Sequence, residues 1–223
     1  MLAVKAPRST RHERSLHPQE PAQAGRLLGV ATPYMQQEIW ARLVFDISVA
    51  AFLVGEVSLA VKWRRGASRT DLRGEAAFRL VFFAGVLMLP LAHTLAPEAV
   101  LEGAGVFVLG TVIGWLGLLL RWWSFGTLGK YFTTVVKTSA DQLVVSRGPY
   151  RVLRHPSYTG LLAALFGCGL MLGNWVGTAA SFLLILLVHI YRLLREERAM
   201  IDTLGDAYLD FAKDRARLVP FVW

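Results

Sequence analysis

The feature that most constrains this chain is a series of apolar segments long enough, or nearly long enough, to cross a lipid bilayer. They cover approximately residues 39–61, 78–95, 104–120, 157–172 and 175–194. A spanning helix needs about 20 mostly apolar residues. Because the hydrocarbon core offers no partners to the backbone, such segments must form helices. The sequence therefore predicts an all-α integral membrane protein with about five transmembrane helices.

Composition and charge agree with this class. Apolar residues make up 54% of the chain and charged residues 18%, whereas soluble domains usually carry about 25% charged residues. The net charge is +8, and the basic residues flank the apolar segments instead of forming one soluble face. This distribution favours contact with anionic membrane lipids over nucleic-acid binding, so we expect membrane lipids as partners and no nucleic acid.

The chain divides into three regions. Residues 1–38 form a polar, basic tail, residues 39–123 hold the first three predicted transmembrane helices, and residues 124–223 hold the predicted catalytic region. In that last region, Gly173 and Asn174 are a turn signal between two apolar segments, which predicts a helical hairpin. A charged helical tail follows to about Lys213.

The distribution of Lys and Arg predicts the orientation. They concentrate after the first and third apolar segments and in the C-terminal tail, whereas the loops after the second and fourth segments carry none. Basic loops usually face the cytoplasm. The C-terminal tail and the predicted active site should therefore be cytoplasmic, although the basic N-terminal tail opposes this assignment.

Several residues inside the apolar segments are unusual. Asp46 and Glu56 lie in the first segment, where an acid needs protein, water or a basic partner. Pro90 should kink or end the second helix early. Arg121 closes the third segment beside Trp122 and is predicted to belong to an interfacial belt.

The stretch from Gly148 to Gly160 combines proline, glycine, tyrosine, arginine and histidine where a polar loop enters an apolar segment. Pro156 suits the first position of a helix, because its missing N–H is not needed there. His155 and Tyr158 would then lie on one face at the helix mouth. Such side chains can contact a ligand, although a helix cap with interfacial aromatics would give the same pattern.

A second polar stretch begins at Arg192, directly after the last apolar segment. Arg192 and Glu196 are four residues apart and therefore share a helix face. An arginine at this position can bind a carboxylate with its guanidinium fork. The alternative is a structural role, in which Arg192 anchors the helix at the membrane interface and forms a local ion pair with Glu196.

Together these stretches resemble the isoprenylcysteine carboxyl methyltransferase family. The resemblance rests on landmarks in the family's order, covering about residues 132–221: Gly148-x-Tyr150, Arg154-His155-Pro156-Ser157-Tyr158, Arg192-x-x-x-Glu196-Glu197, Leu204-Gly205-Asp206-x-Tyr208 and Pro220-Phe221. The family's members are membrane enzymes that use S-adenosylmethionine to methylate the carboxylate of a lipid-modified cysteine.

The resemblance implies a site for each reactant. Arg192 and Glu196 take the substrate and catalytic positions. The residues implied in binding S-adenosylmethionine are Lys137, Gln142, Leu143, Val144, Val145, Tyr150, His155, Pro156, Ser157 and Tyr158. The expected acceptor is a lipophilic small molecule or a lipidated cysteine.

Other functions remain open at this stage. A phospholipid N-methyltransferase or a small-thiol S-methyltransferase would use the same cofactor, an NADPH-dependent sterol reductase shares a similar C-terminal landmark, and a membrane scaffold would keep only the fold. No zinc, P-loop, hydrolase or dinucleotide-binding motif is present in the sequence. No metal is therefore expected.

Overall fold

The structure is a computed structural model that describes residues 32–63, 72–129, 144–220 and 223. Within these residues it contains helices and turns but no named strand. In chain order the α-helices are α1 (Tyr34–Gln37), α2 (Ile39–Trp63), α3 (Leu72–Leu95), α4 (Ala104–Leu128), α5 (Pro156–Leu172), α6 (Trp175–Leu204) and α7 (Asp206–Lys213), and a 3₁₀ turn (Gly148–Arg151) precedes α5. The predicted all-α class is confirmed.

Three helical stretches are long and apolar enough to cross a membrane by length and composition: Ala76–Leu95, Ala104–Leu128 and Trp175–Leu204. The α5 helix is apolar but shorter. Their outer surfaces carry large apolar side chains, such as Leu80 and Leu187, that are 72% and 64% exposed. A water-soluble protein rarely exposes apolar surface on this scale, and the protein is integral to the membrane. The number of five spans stays a prediction.

The predicted hairpin of the last two apolar segments is confirmed. Gly173 ends α5 with a left-handed backbone conformation (φ 75°), which glycine adopts without steric cost. Asn174 then caps α6, because its side chain accepts a hydrogen bond from the Gly177 backbone N–H at 2.8 Å. The Asn174 amide also donates to the Ala96 carbonyl at 2.9 Å, which ties the turn to the end of α3.

Two helix ends differ from the sequence expectations. The α3 helix continues through Pro90 to Leu95, so the expectation that Pro90 could end it early is wrong. Proline is tolerated in membrane helices where neighbouring groups accommodate the freed carbonyl. The α4 helix runs to Leu128, beyond the predicted start of a polar segment at residue 124, and within it the Ser124 hydroxyl donates to the Leu120 carbonyl at 2.7 Å.

The closest helix packing joins α4 to α5 through glycines on both helices. A Cβ atom at Gly117 would lie 2.6 Å from the Gly160 carbonyl oxygen and 2.8 Å from the Ala163 Cβ. One at Gly110 would lie 2.7 Å from the Gly167 carbonyl oxygen. Small residues let membrane helices approach this closely. This contact fixes the N-terminal end of α5, where the candidate site lies.

Gly117→Ala should therefore destabilise the protein by roughly 1–3 kcal/mol, because the added methyl group overpacks the α4–α5 contact. Gly126→Ala is the matched control in the same helix. A Cβ at Gly126 meets nothing within 4 Å, so alanine should stabilise the helix by roughly 0.5–1 kcal/mol. Thermal unfolding of detergent-purified protein would measure both, and equal midpoints would contradict the packing role.

Candidate active site

The candidate site lies where the first turn of α5 meets the last third of α6. Pro156 occupies the first turn of α5 and His155 is its N-cap residue, as the sequence predicts. The His155 and Tyr158 rings stack at 5.6 Å with an interplanar angle of 7°. The predicted common face of these two side chains is confirmed.

Arg192 and Glu196 of α6 reach this pair. The Tyr158 hydroxyl donates to Glu196 Oε1 at 2.6 Å. The Arg192 Nε–H donates to the Tyr158 hydroxyl at 3.0 Å and to Glu196 Oε1 at 3.3 Å. The Arg192 guanidinium also lies over the Phe78 ring, 4.4 Å from its centroid. The arginine is therefore oriented by a carboxylate, a phenol and an aromatic face at once.

His155 lies between two carboxylates. Its Nδ1 is 3.8 Å from Glu196 Oε2, and its Nε2 is 3.4 Å from Glu197 Oε1. Nε2 is buried and has no hydrogen-bond partner among the described residues. A buried polar atom without a hydrogen bond costs free energy unless a ligand or water supplies one. His155 is therefore suited to contact a bound molecule.

Glu197 is a site residue that sequence reasoning gave no role. It is 5% exposed and binds two arginines. Arg154 donates from Nη1 to Oε1 at 3.1 Å, and Arg217 donates from Nε to Oε2 at 2.9 Å. Because these arginines come from the loop before α5 and from the C-terminal segment, Glu197 ties both to α6.

A four-residue period in α6 could have revealed this buried face. Ile185, His189, Leu193 and Glu197 are each at most 5% exposed, and residues four apart share one helix face. The His189 ring packs edge-on against Tyr158 at 5.0 Å. The apolar pattern continued as far as Leu193 in the sequence, but the charge at position 197 concealed its continuation.

The C-terminal segment closes over the loop that precedes α5. Leu153 and Ala216 form an isolated parallel bridge, and the Arg154 N–H donates to the Ala216 carbonyl at 2.8 Å. The Thr159 hydroxyl donates to the Leu218 carbonyl at 2.7 Å. Residues 216–218 therefore hold the entry of α5 in place.

Arg121 and Glu56 form another ion pair, which lies beside the site. Arg121 donates to Glu56 Oε1 at 2.5 Å from Nε and to Oε2 at 2.8 Å from Nη2, and its Nη1 donates to the Ser157 carbonyl at 3.0 Å. Arg121, which the sequence predicts in an interfacial belt, is only 8% exposed, because Glu56 and the Ser157 carbonyl bind its guanidinium. The expectation that Glu56 needs protein, water or a basic partner is confirmed. The pair links α2 and α4 to the first turn of α5.

The remaining predicted cofactor residues are only partly described. Lys137, Gln142 and Leu143 lie outside the described residues. Val144 packs against the cluster of Tyr208, Phe211 and Ala212, and Val145 is half-buried. That these residues bind a cofactor stays a prediction.

Tyr150 and Tyr208, which lie near the carboxylates of Glu196 and Glu197, remain protonated phenols. Burial, reinforced by the Glu196 carboxylate, raises the pKa of Tyr150 well above its usual value. Burial, reinforced by the Glu197 carboxylate, likewise raises the pKa of Tyr208 well above its usual value. Both groups are therefore neutral hydrogen-bond donors at physiological pH.

Comparison with known proteins shows which membrane proteins the chain resembles. The family model described as Phospholipid methyltransferase matches residues 106–207, which contain α5, most of α4, all of α6 and the candidate site. This region of the chain is similar to that family.

The chain is also similar to protein-S-isoprenylcysteine O-methyltransferases. It is 31% identical to the Schizosaccharomyces pombe protein of that name over 109 residues, which are 48% of this chain and 46% of the relative. It is 32% identical to protein-S-isoprenylcysteine O-methyltransferase A of Arabidopsis thaliana over 115 residues, 51% of this chain and 58% of the relative. The matched region spans about half the length of these two relatives.

Two further comparisons extend beyond the C-terminal half. A probable protein-S-isoprenylcysteine O-methyltransferase of Oryza sativa subsp. indica is 27% identical over 183 residues, 80% of this chain and 95% of the relative. A solved structure of isoprenylcysteine carboxyl methyltransferase, a eukaryotic intramembrane Ras methyltransferase, has the same fold. Its TM-score is 0.62 at 21% identity, over 90% of this chain and 71% of that chain. The resemblance indicated by the sequence motifs is confirmed.

Proposed function

We propose that the protein is a membrane methyltransferase that transfers a methyl group from S-adenosylmethionine to the carboxylate of a lipophilic, isoprenylcysteine-like acceptor. The observation that carries the proposal is the arrangement of Tyr158, Arg192 and Glu196, with His155 stacked on the tyrosine. The names of the related proteins support the same acceptor class.

The side chains suit the reaction. S-adenosylmethionine supplies an activated methyl group on a sulfonium. An acceptor carboxylate is already ionised at neutral pH and needs no general base. The protein must instead align two reactants and exclude water. Arg192 can orient the carboxylate, while Glu196 and Tyr158 hold its guanidinium.

The residues also fit the cofactor. The buried His155 Nε2 makes no hydrogen bond to the described residues, and the stacked His155 and Tyr158 rings offer an aromatic surface of the kind that attracts a cationic group. Glu196 and Glu197 add negative charge beside this surface. The residues from 137 to 145 and Tyr150 would complete the pocket, and the five helices α2 to α6 would span the bilayer with this end in the cytoplasm.

The geometry favours a carboxylate acceptor over an amine. An amine acceptor must lose a proton, for which Glu196 is the obvious base. Glu196 Oε1 already accepts hydrogen bonds from Tyr158 and Arg192, so this oxygen is engaged in holding the arginine. A phospholipid N-methyltransferase is therefore the second candidate.

The decisive experiment compares acceptors in one assay. Purified full-length protein would receive S-adenosylmethionine labelled in the methyl group together with N-acetyl-S-farnesylcysteine, phosphatidylethanolamine or a short alkyl thiol. We expect label in a base-labile ester of the farnesylcysteine. Label in the phospholipid would establish the N-methyltransferase instead, and label in the thiol the S-methyltransferase. Calorimetric binding of NADPH, with none of S-adenosylhomocysteine, would reject the whole class.

His155→Ala should weaken S-adenosylhomocysteine binding about tenfold, the effect of losing one hydrogen bond of about 1.4 kcal/mol to a buried partner. Calorimetric titration of folded, detergent-purified protein would measure it. His93→Ala is a suitable control, since His93 lies at the opposite end of the bundle in the last turn of α3. Unchanged affinity of the His155 variant would remove this residue from the pocket.

A further inference from the structure

A basic groove lies on the C-terminal segment, separate from the residues assigned to the reaction centre. Its cavity has a volume of about 550 Å³. Five of its lining side chains are basic and one is acidic: Arg151, Arg154, Lys213, Arg215 and Arg217, with Asp214. Such an excess of one charge attracts an anion.

Three of these arginines form a fixed wall. Arg154 and Arg217 are held by Glu197 at 3.1 and 2.9 Å. Arg215 donates to the Tyr150 carbonyl at 3.0 Å and lies over the Phe211 ring, 4.5 Å from its centroid. These contacts orient the guanidinium groups before any ligand binds. The acceptors of the Arg215 hydrogen bonds are backbone carbonyls and not carboxylates.

The other two basic residues remain available at the groove. Arg151 and Lys213 are exposed, and among the described residues neither forms an ion pair with an acid. One carboxylate, Glu197, is shared by two of the fixed arginines. The groove therefore carries net positive charge that the described part of the chain does not neutralise.

The surroundings of the groove match a membrane surface. Arg151 and Arg154 lie directly before α5, at the end of the bundle where α6 leaves its apolar part. Apolar side chains line or border the groove: Val152 and Trp223 line it and are 48% and 39% exposed, and Val219 is 49% exposed. Exposed apolar and aromatic groups beside basic ones are typical of the interface between lipid tails and head groups.

We propose that this groove binds the phosphate head group of an anionic phospholipid from the surrounding bilayer. The acyl chains would lie along the exposed apolar side chains and the phosphate between Arg151, Lys213 and the fixed arginines. Basic pockets at the ends of membrane helices suit this ligand, since each Lys or Arg near an anionic head group contributes about a fivefold gain in binding. The proposal does not depend on the methyl acceptor.

The test uses the full chain in detergent and measures lipid binding by native mass spectrometry. The ligands are phosphatidylglycerol and phosphatidylcholine with matched acyl chains. Wild-type protein should prefer phosphatidylglycerol. The double variant Arg151→Gln/Lys213→Gln should bind it about 20- to 30-fold more weakly, the combined loss of two such contacts. Neither residue belongs to the proposed reaction centre.

A matched control separates the groove from the overall charge. Arg147→Gln/Arg198→Gln removes the same charge from two exposed residues that do not line the groove, and it should retain wild-type binding. Equal affinity for both lipids, or an equal loss in both double variants, would overturn the proposal. Inorganic phosphate that binds as tightly as phosphatidylglycerol would also overturn it, because the groove would then be a free-phosphate site.

Discussion

Arg192→Ala should lower methyl transfer at least about a hundredfold while S-adenosylhomocysteine binds with nearly wild-type affinity. Removing one positioned donor from a reaction centre typically costs about 10²–10³ in rate. Here the loss also frees Glu196 and the Tyr158 hydroxyl, which Arg192 contacts at 3.3 and 3.0 Å. The acceptor carboxylate would then meet a net negative site. Turnover with a farnesylcysteine acceptor and calorimetric cofactor binding would measure the two effects separately.

Two variants control this result. Arg198→Ala removes an exposed arginine from the same helix and should leave turnover unchanged. Arg192→Lys keeps the positive charge but cannot fork onto a carboxylate, so it should restore only part of the activity. Near-normal turnover of Arg192→Ala would exclude the substrate role of this residue, whereas loss of cofactor affinity in that variant would move it to the cofactor pocket.

Glu197→Ala should destabilise the protein by about 3–5 kcal/mol, the usual cost of removing one partner from a buried ion pair. Arg154 and Arg217 would lose their shared carboxylate, and the loop before α5 would detach from α6 together with the C-terminal segment. The thermal unfolding midpoint of purified protein should fall accordingly, and limited proteolysis should cut near residue 216.

The matched control for this variant is Glu98→Ala, which removes an exposed acid from the loop after α3. Its unfolding midpoint should stay at the wild-type value. The unfolding midpoint of Glu197→Gln should lie between those of Glu197→Ala and Glu98→Ala, because the amide oxygen can still accept a hydrogen bond but carries no charge. A Glu197→Ala protein as stable as wild type would mean that Arg154 and Arg217 are held by their other contacts alone.

Sequence reasoning succeeded where the signal is local. Proline at position 156, glycine at 173 and asparagine at 174 each determine the backbone of their own turn, so the α5–α6 hairpin could be predicted with its boundaries. The Arg192–Glu196 pair follows from helical spacing within one element. The common face of His155 and Tyr158 follows in the same way from the spacing in the first turn of α5.

The parts that were missed depend on residues far apart in the chain. Arg121 meets Glu56 across 65 positions, so the sequence indicated that Glu56 needed a partner but not that Arg121 was that partner. Arg217 and Glu197 are joined by the return of the C-terminal segment, for which no local pattern exists. The end of α4 at Leu128 was missed because Ser124, Gly126 and Thr127 are polar or small and interrupt the apolar pattern.

The close packing of α4 on α5 has a consequence for the choice of bilayer. The α5 helix has 17 residues and α4 has 25, lengths of about 25 and 37 Å at 1.5 Å per residue. A typical hydrocarbon core is about 30 Å thick, and glycine contacts prevent the shorter helix from sliding along the longer one. Thick membranes would leave the α5 end at Gly173 and Asn174 below the head groups, at an energetic cost. We therefore expect higher stability in bilayers of 14-carbon than of 22-carbon lipids, and the opposite order would contradict this view of α5.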